Sequence, residues 1–534
     1  MKHRSLVDYK EIYDCDKEGF NLGLDASIFI RREAVQRVFE RPRVGTQGSS
    51  IGVAAASTNI SAGSDDKIDI VVDGGAVVTA TLNLVGLTTG VAIAAELELA
   101  INNALIAAVQ DGRVWVLFDG GDDHYEIYSQ STGLTSSAAI SDASVDNVAD
   151  DLKIGVPNAG VEAAGTDDQD FLLYTTGGPT LEQPVESNPH RTGRFHTGII
   201  RKKKLANFDF DTMVNMSGNA GDSIDLALRV LMEQTFGTEE VIASTAIIYK
   251  QSTPCFTFSL VRVSTIFGEY YTGGYVRDYT LSIPGDAPAT QKFVGRAAKA
   301  SIAGLARVDG ALVGATDIIL DAGTSKRYTA ESRVMVVAAD GRTVTAGIDG
   351  TLIVDSVDDG LNKVILNTAV DVEDDGYIVP WHPGAVQQTG RDAIYTDLVG
   401  RFKFNSADAD IDTTQIEVGY TNDHIDFDNR FGRDGNVGFA AGNRGTMNLA
   451  VTFDLSNENM GDVVRARDFA GFDPVIEIGD SAGSDRYLKL AMKKWIPSVP
   501  AINVPENGTT PITLEGTVLQ SAPGARDPFQ FEYR

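Results

Sequence analysis

Two stretches of this chain read alike. Residues 495–522 are WIPSVPAINVPENGTTPITLEGTVLQSA, and residues 274–301 are GYVRDYTLSIPGDAPATQKFVGRAAKAS. Pro505 falls on Pro284 at an offset of 221 residues (505 − 284 = 221), and Gly516 falls on Gly295 at the same offset (516 − 295 = 221). At that offset Ile502 meets Leu281, Val504 meets Ile283, Leu514 meets Phe293 and Val518 meets Ala297. Apolar residues alternate on both sides of each proline. Period two is the signature of a half-buried strand, so each stretch reads as strand, turn, strand. Matching anchors together with matching alternation point to an internal duplication.

The sequence upstream of each copy agrees. LANFDFDTMV (205–214) precedes the helical run SIDLALRVLMEQTFG (223–237), and MNLAVTFDLS (447–456) precedes NENMGDVVRARDFAGF (457–472). Asp222 or Ser223 and Ser456 or Asn457 mark the helix starts, and Gly237 and Gly471 the stops. Each copy is therefore an alternating strand, one short helix and a strand pair. Pro284, Gly295, Pro505 and Gly516 are the signature of the repeat.

That order resembles the tail tube (major tail) protein of long-tailed bacteriophages. The most family-like part runs from Pro505 through Leu514, Glu515 and Gly516 to the aromatic end at Phe529, Phe531 and Tyr533. The resemblance implies a structural virion protein, not an enzyme and without a cofactor. Its β-sandwich protomer closes into a ring, and rings stack into the conduit for DNA ejection. It also implies assembly in the host cytoplasm, contacts with other tail proteins, and DNA that crosses the bore without specific binding. Two copies in one chain resemble duplicated tube proteins whose trimers imitate hexamers, so rings of three chains are expected in preference to six. Two other classes remain open: a tail sheath or other tail component, and an exported glycan-binding β protein.

Composition fits a mainly β chain. It has 54 glycines against 17 prolines, 43% hydrophobic and 22% charged residues, which suits many short strands joined by tight turns. A net charge of −29 argues against a duplex-DNA binder, which needs clustered cations to release counterions. Two cysteines, Cys15 and Cys255, make no disulfide framework and no zinc site by themselves. The start MKHRSLVDYKEIYD has no apolar core of a secretory leader. No uninterrupted apolar run of about 18 residues is present, so no membrane span is expected.

Four regions follow. Residues 1–49 and 166–301 make the first tube unit, and 391–534 the second. Residues 50–165 form an inserted α+β module, with strands KIDIVV and VTATLNL, the helix GVAIAAELELAINNALIAAV (90–109), and strands RVWVLF and HYEIYS. It resembles insertion modules of phage tail sheaths and flagellar hook-associated proteins. Residues 302–390 hold six short strands and read as a small all-β barrel or sandwich: DIILDA, RVMVVAA, TVTAGI, TLIVDSV, KVILNT and YIVPW. FLLYTT (171–176) is expected as a strand where the first unit resumes.

Motifs for chemistry are weak. None of the six histidines has zinc spacing. Asp426, Asp428, Asn429 and Asp434 could gather around calcium, but an EF-hand counted from Asp426 would need glycine and glutamate where Phe431 and Val437 stand. GxSxG occurs at 48–52 and 479–483, yet the second is followed by RYLKLAM, which alternates like a strand where a nucleophile elbow needs a helix. The basic run Arg201, Lys202, Lys203 and Lys204 reads as one half of a subunit contact answering an acidic neighbour.

Overall fold

The computed structural model describes residues 27–533 apart from 36, 42–48, 54–65, 86, 111–113, 120–122, 130–135, 165–169, 173, 183–184, 188–190, 193–194, 197–198, 202–204, 217–225, 243–245, 253–255, 265, 342–343, 348–349, 384–391, 394–399, 407–410, 423, 427–438, 441–444, 457–458, 469–470, 480–486, 499–509 and 522–527. The architecture is mainly β, in several antiparallel sheets. No barrel closes among the described residues.

The first unit opens with β1 (Ser27–Arg32). It continues with β2 (Thr176–Glu182), β3 (Leu205–Met213), a helix, and the hairpin β4 (Gly237–Ile242) and β5 (Ala246–Gln251). Then come β6 (Phe258–Val263), β7 (Phe267–Pro284), β8 (Thr290–Ala297) and β9 (Lys299–Gly304). The second unit has β10 (Gly400–Lys403), β11 (Gln415–Asn422), β12 (Gly445–Asp454), a helix, β13 (Val475–Gly479) and β14 (Tyr487–Met492). It ends with β15 (Trp495–Ser498), β16 (Pro511–Val518) and β17 (Phe529–Tyr533). In chain order the helices are α1 (Gly90–Ala107), α2 (Leu226–Phe236) and α3 (Met460–Arg467).

α1 starts at Gly90 as expected, the described part of α2 begins at Leu226, and α3 begins at Met460 with Asn459 at its N-cap. Gly237 follows α2 at φ 102°, a backbone that glycine adopts without strain, so the expected stop is where the helix ends. In the second unit α3 is already over at Arg467, before Gly471.

The expected strand at 171–176 is corrected. Phe171 makes only an isolated bridge to Phe29, and the strand β2 begins at Thr176, across Gly177, Gly178 and Pro179. Proline lacks the N–H of an interior ladder and glycine pairs weakly, so such a segment survives only at a sheet edge, where a sequence pattern does not announce it. β2 is at that edge.

The first inserted region has a core of its own, and the second shares one with the first unit. Ile93, Leu97, Ile101 and Leu105 of α1 pack with Ile68, Ile70, Tyr125 and Ile127. By length and composition α1 could cross a membrane. Here its apolar face covers a sheet, and its two acids are engaged: Glu96 accepts from Asn83 N at 2.7 Å and Glu98 from Val116 N at 3.0 Å. The six strands expected between 302 and 390 are all present, split between a four-stranded and a three-stranded sheet rather than closed into a barrel. Their core, with Val334, Val336, Ile378 and Trp381, is continuous with Phe29, Val261, Val263 and Tyr270 of the first unit.

Candidate assembly surface

The two units share one sheet. Its main path runs β15-β16-β12-β11-β7-β8-β3-β2, so four strands of the second unit continue into four of the first. Order the strands of a unit as A, B, C and D: the first unit supplies β2, β3, β8 and β7, the second β11, β12, β16 and β15. The path then reads D-C-B-A-D-C-B-A. Strand D of the first unit meets strand A of the second, head to tail.

Register makes the equivalence exact to the residue. Strand β16 occupies the positions of β8 shifted by 221 (290 + 221 = 511 and 297 + 221 = 518). One row across the first unit is Pro179, Phe208, Gly295, Val276. The matching row across the second is Val418, Leu449, Gly516, Pro497. A side chain on Gly295 would collide with Phe208 and the Tyr275 carbonyl, and one on Gly516 with the Ile496 carbonyl. The shared glycine is therefore a demand of close strand approach. Thr175 donates its backbone N–H and its hydroxyl to the Asp211 carbonyl, at 2.7 and 2.9 Å. Thr414 does the same to the Thr452 carbonyl, at 2.8 and 3.2 Å.

The D strand carries a shared kink. Gly273 has φ 73° and Lys494, at the 221 offset, φ 47° (494 − 273 = 221). A carboxylate accepts from each kinked amide: Glu33 from Gly273 N at 2.8 Å and Asp473 from Lys494 N at 2.9 Å. Glycine lets β7 run unbroken through 18 residues, whereas lysine at that place parts β14 from β15.

The joint is extensive. Asp278 to Pro284 of β7 pair with Thr421 to Gln415 of β11. Beneath, the Phe236 ring from the end of α2 lies 5.2 Å from Tyr279, 5.1 Å from Tyr420, 5.1 Å from Phe529 and 4.7 Å from Phe531. Buried Asn422 donates to the carbonyls of Thr235 at 2.9 Å and Val276 at 3.2 Å. Hairpin β4-β5 adds a clasp, since β5 pairs with the C-terminal strand β17. Burial pushes the Tyr420 phenol up to about 12.

One face of the shared sheet is buried core, with Phe208, Phe210, Leu281, Val418, Leu449 and Leu514. The other is polar. A single row crosses all eight strands: Thr176, Asp211, Lys292, Thr280, Gly419, Asn448, Thr517, Ile496. Beside it lie Asp209, Asp278, Thr421 and Thr446 on one side, and Ser282, Glu417, Ala450 and Glu515 on the other. Lys292 is shared between Asp209 at 3.6 Å and Asp211 at 3.8 Å, Arg296 follows it on the same face of β8, and Arg277 stands at the β7 bulge beside Asp278. The face is therefore mainly hydroxyls, amides and carboxylates, with the apolar residues Val294 and Ile496 among them, and its carboxylates outnumber its cations.

The sheet ends in two unlike edges. Among the described residues no strand continues it beyond β2, and beyond β15 only an isolated bridge joins Trp495 to Phe472. The positions equivalent to Asp278–Pro284 in the second unit are 499–505, which lie outside the described residues, as does Pro505 among the four anchors. Pro284 ends β7 opposite Gln415. Arg201 ends a short strand, Ile199–Arg201, paired with Val185–Ser187, and Lys202, Lys203 and Lys204 lie outside the described residues. The backbone of Asp426 pairs with that of Phe439, and Asp428, Asn429 and Asp434 lie outside the described residues. His124 sits 3.1 Å from Glu126. Among the described residues no group of three or more His, Cys, Asp or Glu side chains is placed to hold a metal. No protein-family model matches this chain, and no curated protein is significantly similar to it.

Proposed function

We propose that this chain is the tail tube subunit of a long-tailed phage or related particle, and that three copies close into a ring of six similar units. The observation that carries the reading is the repeated D-C-B-A order, in which a head-to-tail joint inside the chain leaves an A edge and a D edge at its ends. A head-to-tail contact that repeats must end in a closed ring or an open filament, and closure leaves no sheet edge exposed.

The polar face would line the bore. Carboxylates such as Asp209, Asp278, Glu417 and Glu515 repel DNA phosphates, while Thr, Ser and Asn offer weak, interchangeable contacts. Carboxylates outnumber Lys292, Arg277 and Arg296 on this face, so net repulsion outweighs counterion release and a passing genome binds little. The first inserted region has its own core, whereas the second shares a core with β1, β6 and β7 of the first unit. Sheath subunits and exported glycan-binding proteins have no evident use for the repeated joint.

Negative-stain microscopy of the purified protein tests this. Hollow tubes or rings are the expected images. A sample that remains single chains at high concentration, also in the presence of preformed tail tips, would overturn it.

A further inference from the structure

We propose that Arg262 guards the open edge of β2, holding it closed to pairing until the edge of a second copy displaces the guanidinium. This inference rests on the tube reading above.

The direction of the backbone groups follows from the ladder. Val214 N donates to the Ala289 carbonyl at 2.9 Å, continuing the β3–β8 pairing. Residues of β3 alternate in direction, so Phe208 and Phe210 bond toward β8 and Asn207, Asp209 and Asp211 toward β2. On β2 this leaves Gly177, Pro179 and Leu181 with their backbone groups on the open side. Pro179 has no N–H to offer. Its carbonyl accepts from Arg262 Nη1 at 3.2 Å. The centre of the edge therefore presents neither a donor nor a free acceptor to an incoming strand.

Arg262 is itself held in place. Its Nε lies 3.1 Å from Glu269, and the guanidinium stands 5.2 Å over the Phe267 ring. Gly178 makes room for it, since a Cβ there would lie 3.0 Å from Nη1.

The second unit supplies the contrast. Arg262 pairs across strands with Glu269, and the corresponding pair across β13 and β14 is Ile476 with Leu490. Pro179 corresponds to Val418, in a strand whose outer edge is already bonded to β7. The arginine–carboxylate pair and the proline thus stand in the unit whose A strand is open, and apolar residues stand where it is closed. Edge strands blunted by proline and charge are a common protection against premature pairing.

The test is Arg262→Met, which keeps the stem over Phe267 and removes the donor, with Arg262→Lys as a second variant that keeps the charge but falls short of the Pro179 carbonyl. Self-association of the full chain is followed by light scattering across a concentration series, with circular dichroism to check folding. The expected result is association at roughly tenfold lower concentration than wild type, the scale of one charge-assisted hydrogen bond. Variants that are folded and associate like wild type, or less readily, overturn the guard. If wild type assembles and the variants match it, the guard alone fails. If wild type stays single and a variant assembles, the guard stands and so does the tube. If none associates, the guard fails, and if none associates with preformed tail tips either, the tube fails with it.

Discussion

The two units agree in their four shared strands and part company around them. Rows, kink, glycine and threonine contacts recur residue for residue. The flanks do not: among the described residues only the first unit has a clasp like β4-β5, and only six residues separate Asp468 at the end of α3 from β13 in the second (475 − 468 − 1 = 6). Where the clasp grips β17, the corresponding β9 is met by Thr329, whose N–H donates to the Ile302 carbonyl at 2.9 Å. Hydrogen-bond register tolerates no drift, because a one-residue slip would turn the buried face outward. The flanks answer to what lies next to each unit, and the neighbours differ. The joint within the chain is sheet plus clasp plus aromatic cluster, while a joint between chains would rest mainly on the sheet.

That contrast breaks most readily at Phe236. Phe236→Ala removes the ring at the centre of the joint and should cost about 3–5 kcal/mol in denaturant unfolding. An equal loss in an isolated half of the chain would mean that the ring serves one unit rather than the joint. Alkali addresses the same place. The Tyr420 phenol is lifted by burial from 10.0 to about 12, so the folded state keeps a proton that the unfolded chain gives up. The stability from this group is complete below pH 10 and declines as pH rises toward 12. Thermal unfolding should show that decline, shallower in Tyr420→Phe; identical pH profiles would contradict it.

Asn422→Ala leaves the Thr235 and Val276 carbonyls without their donor and should cost about 1–3 kcal/mol. The smallest and most discriminating pair is Thr175→Val and Thr414→Val. Each loses one side-chain bond to a carbonyl, worth about 0.5–1.5 kcal/mol, and the two losses should agree. Clear disagreement would separate the units where their geometry makes them equal.

Much of this was legible in the sequence. The 221-residue offset predicted equivalent strands after each proline, and β8 and β16 have the same bounds at that offset, because alternation and glycine report burial and close approach directly; the second copy's strand before Pro505 lies outside the described residues. The helix α1 and the six strands of the second insertion were legible for the same reason. What was hidden belongs to edges and partners. β2 carries Gly-Gly-Pro, which reads as a loop until a neighbouring strand is known. Nothing local marks β7 as one strand serving two sheets, nor Arg262 as reaching β2, since both depend on residues far away in sequence. The basic run 201–204 gained no geometry, as most of it lies outside the described residues.

The central claim is that copies continue the sheet as the units do. Mass photometry of the assembled species, with class averages of the same sample viewed down the axis, tests it most directly. Rings of three chains showing six similar lumps are the predicted result. Rings of six chains, in which the two units of one chain do not lie side by side, would contradict it.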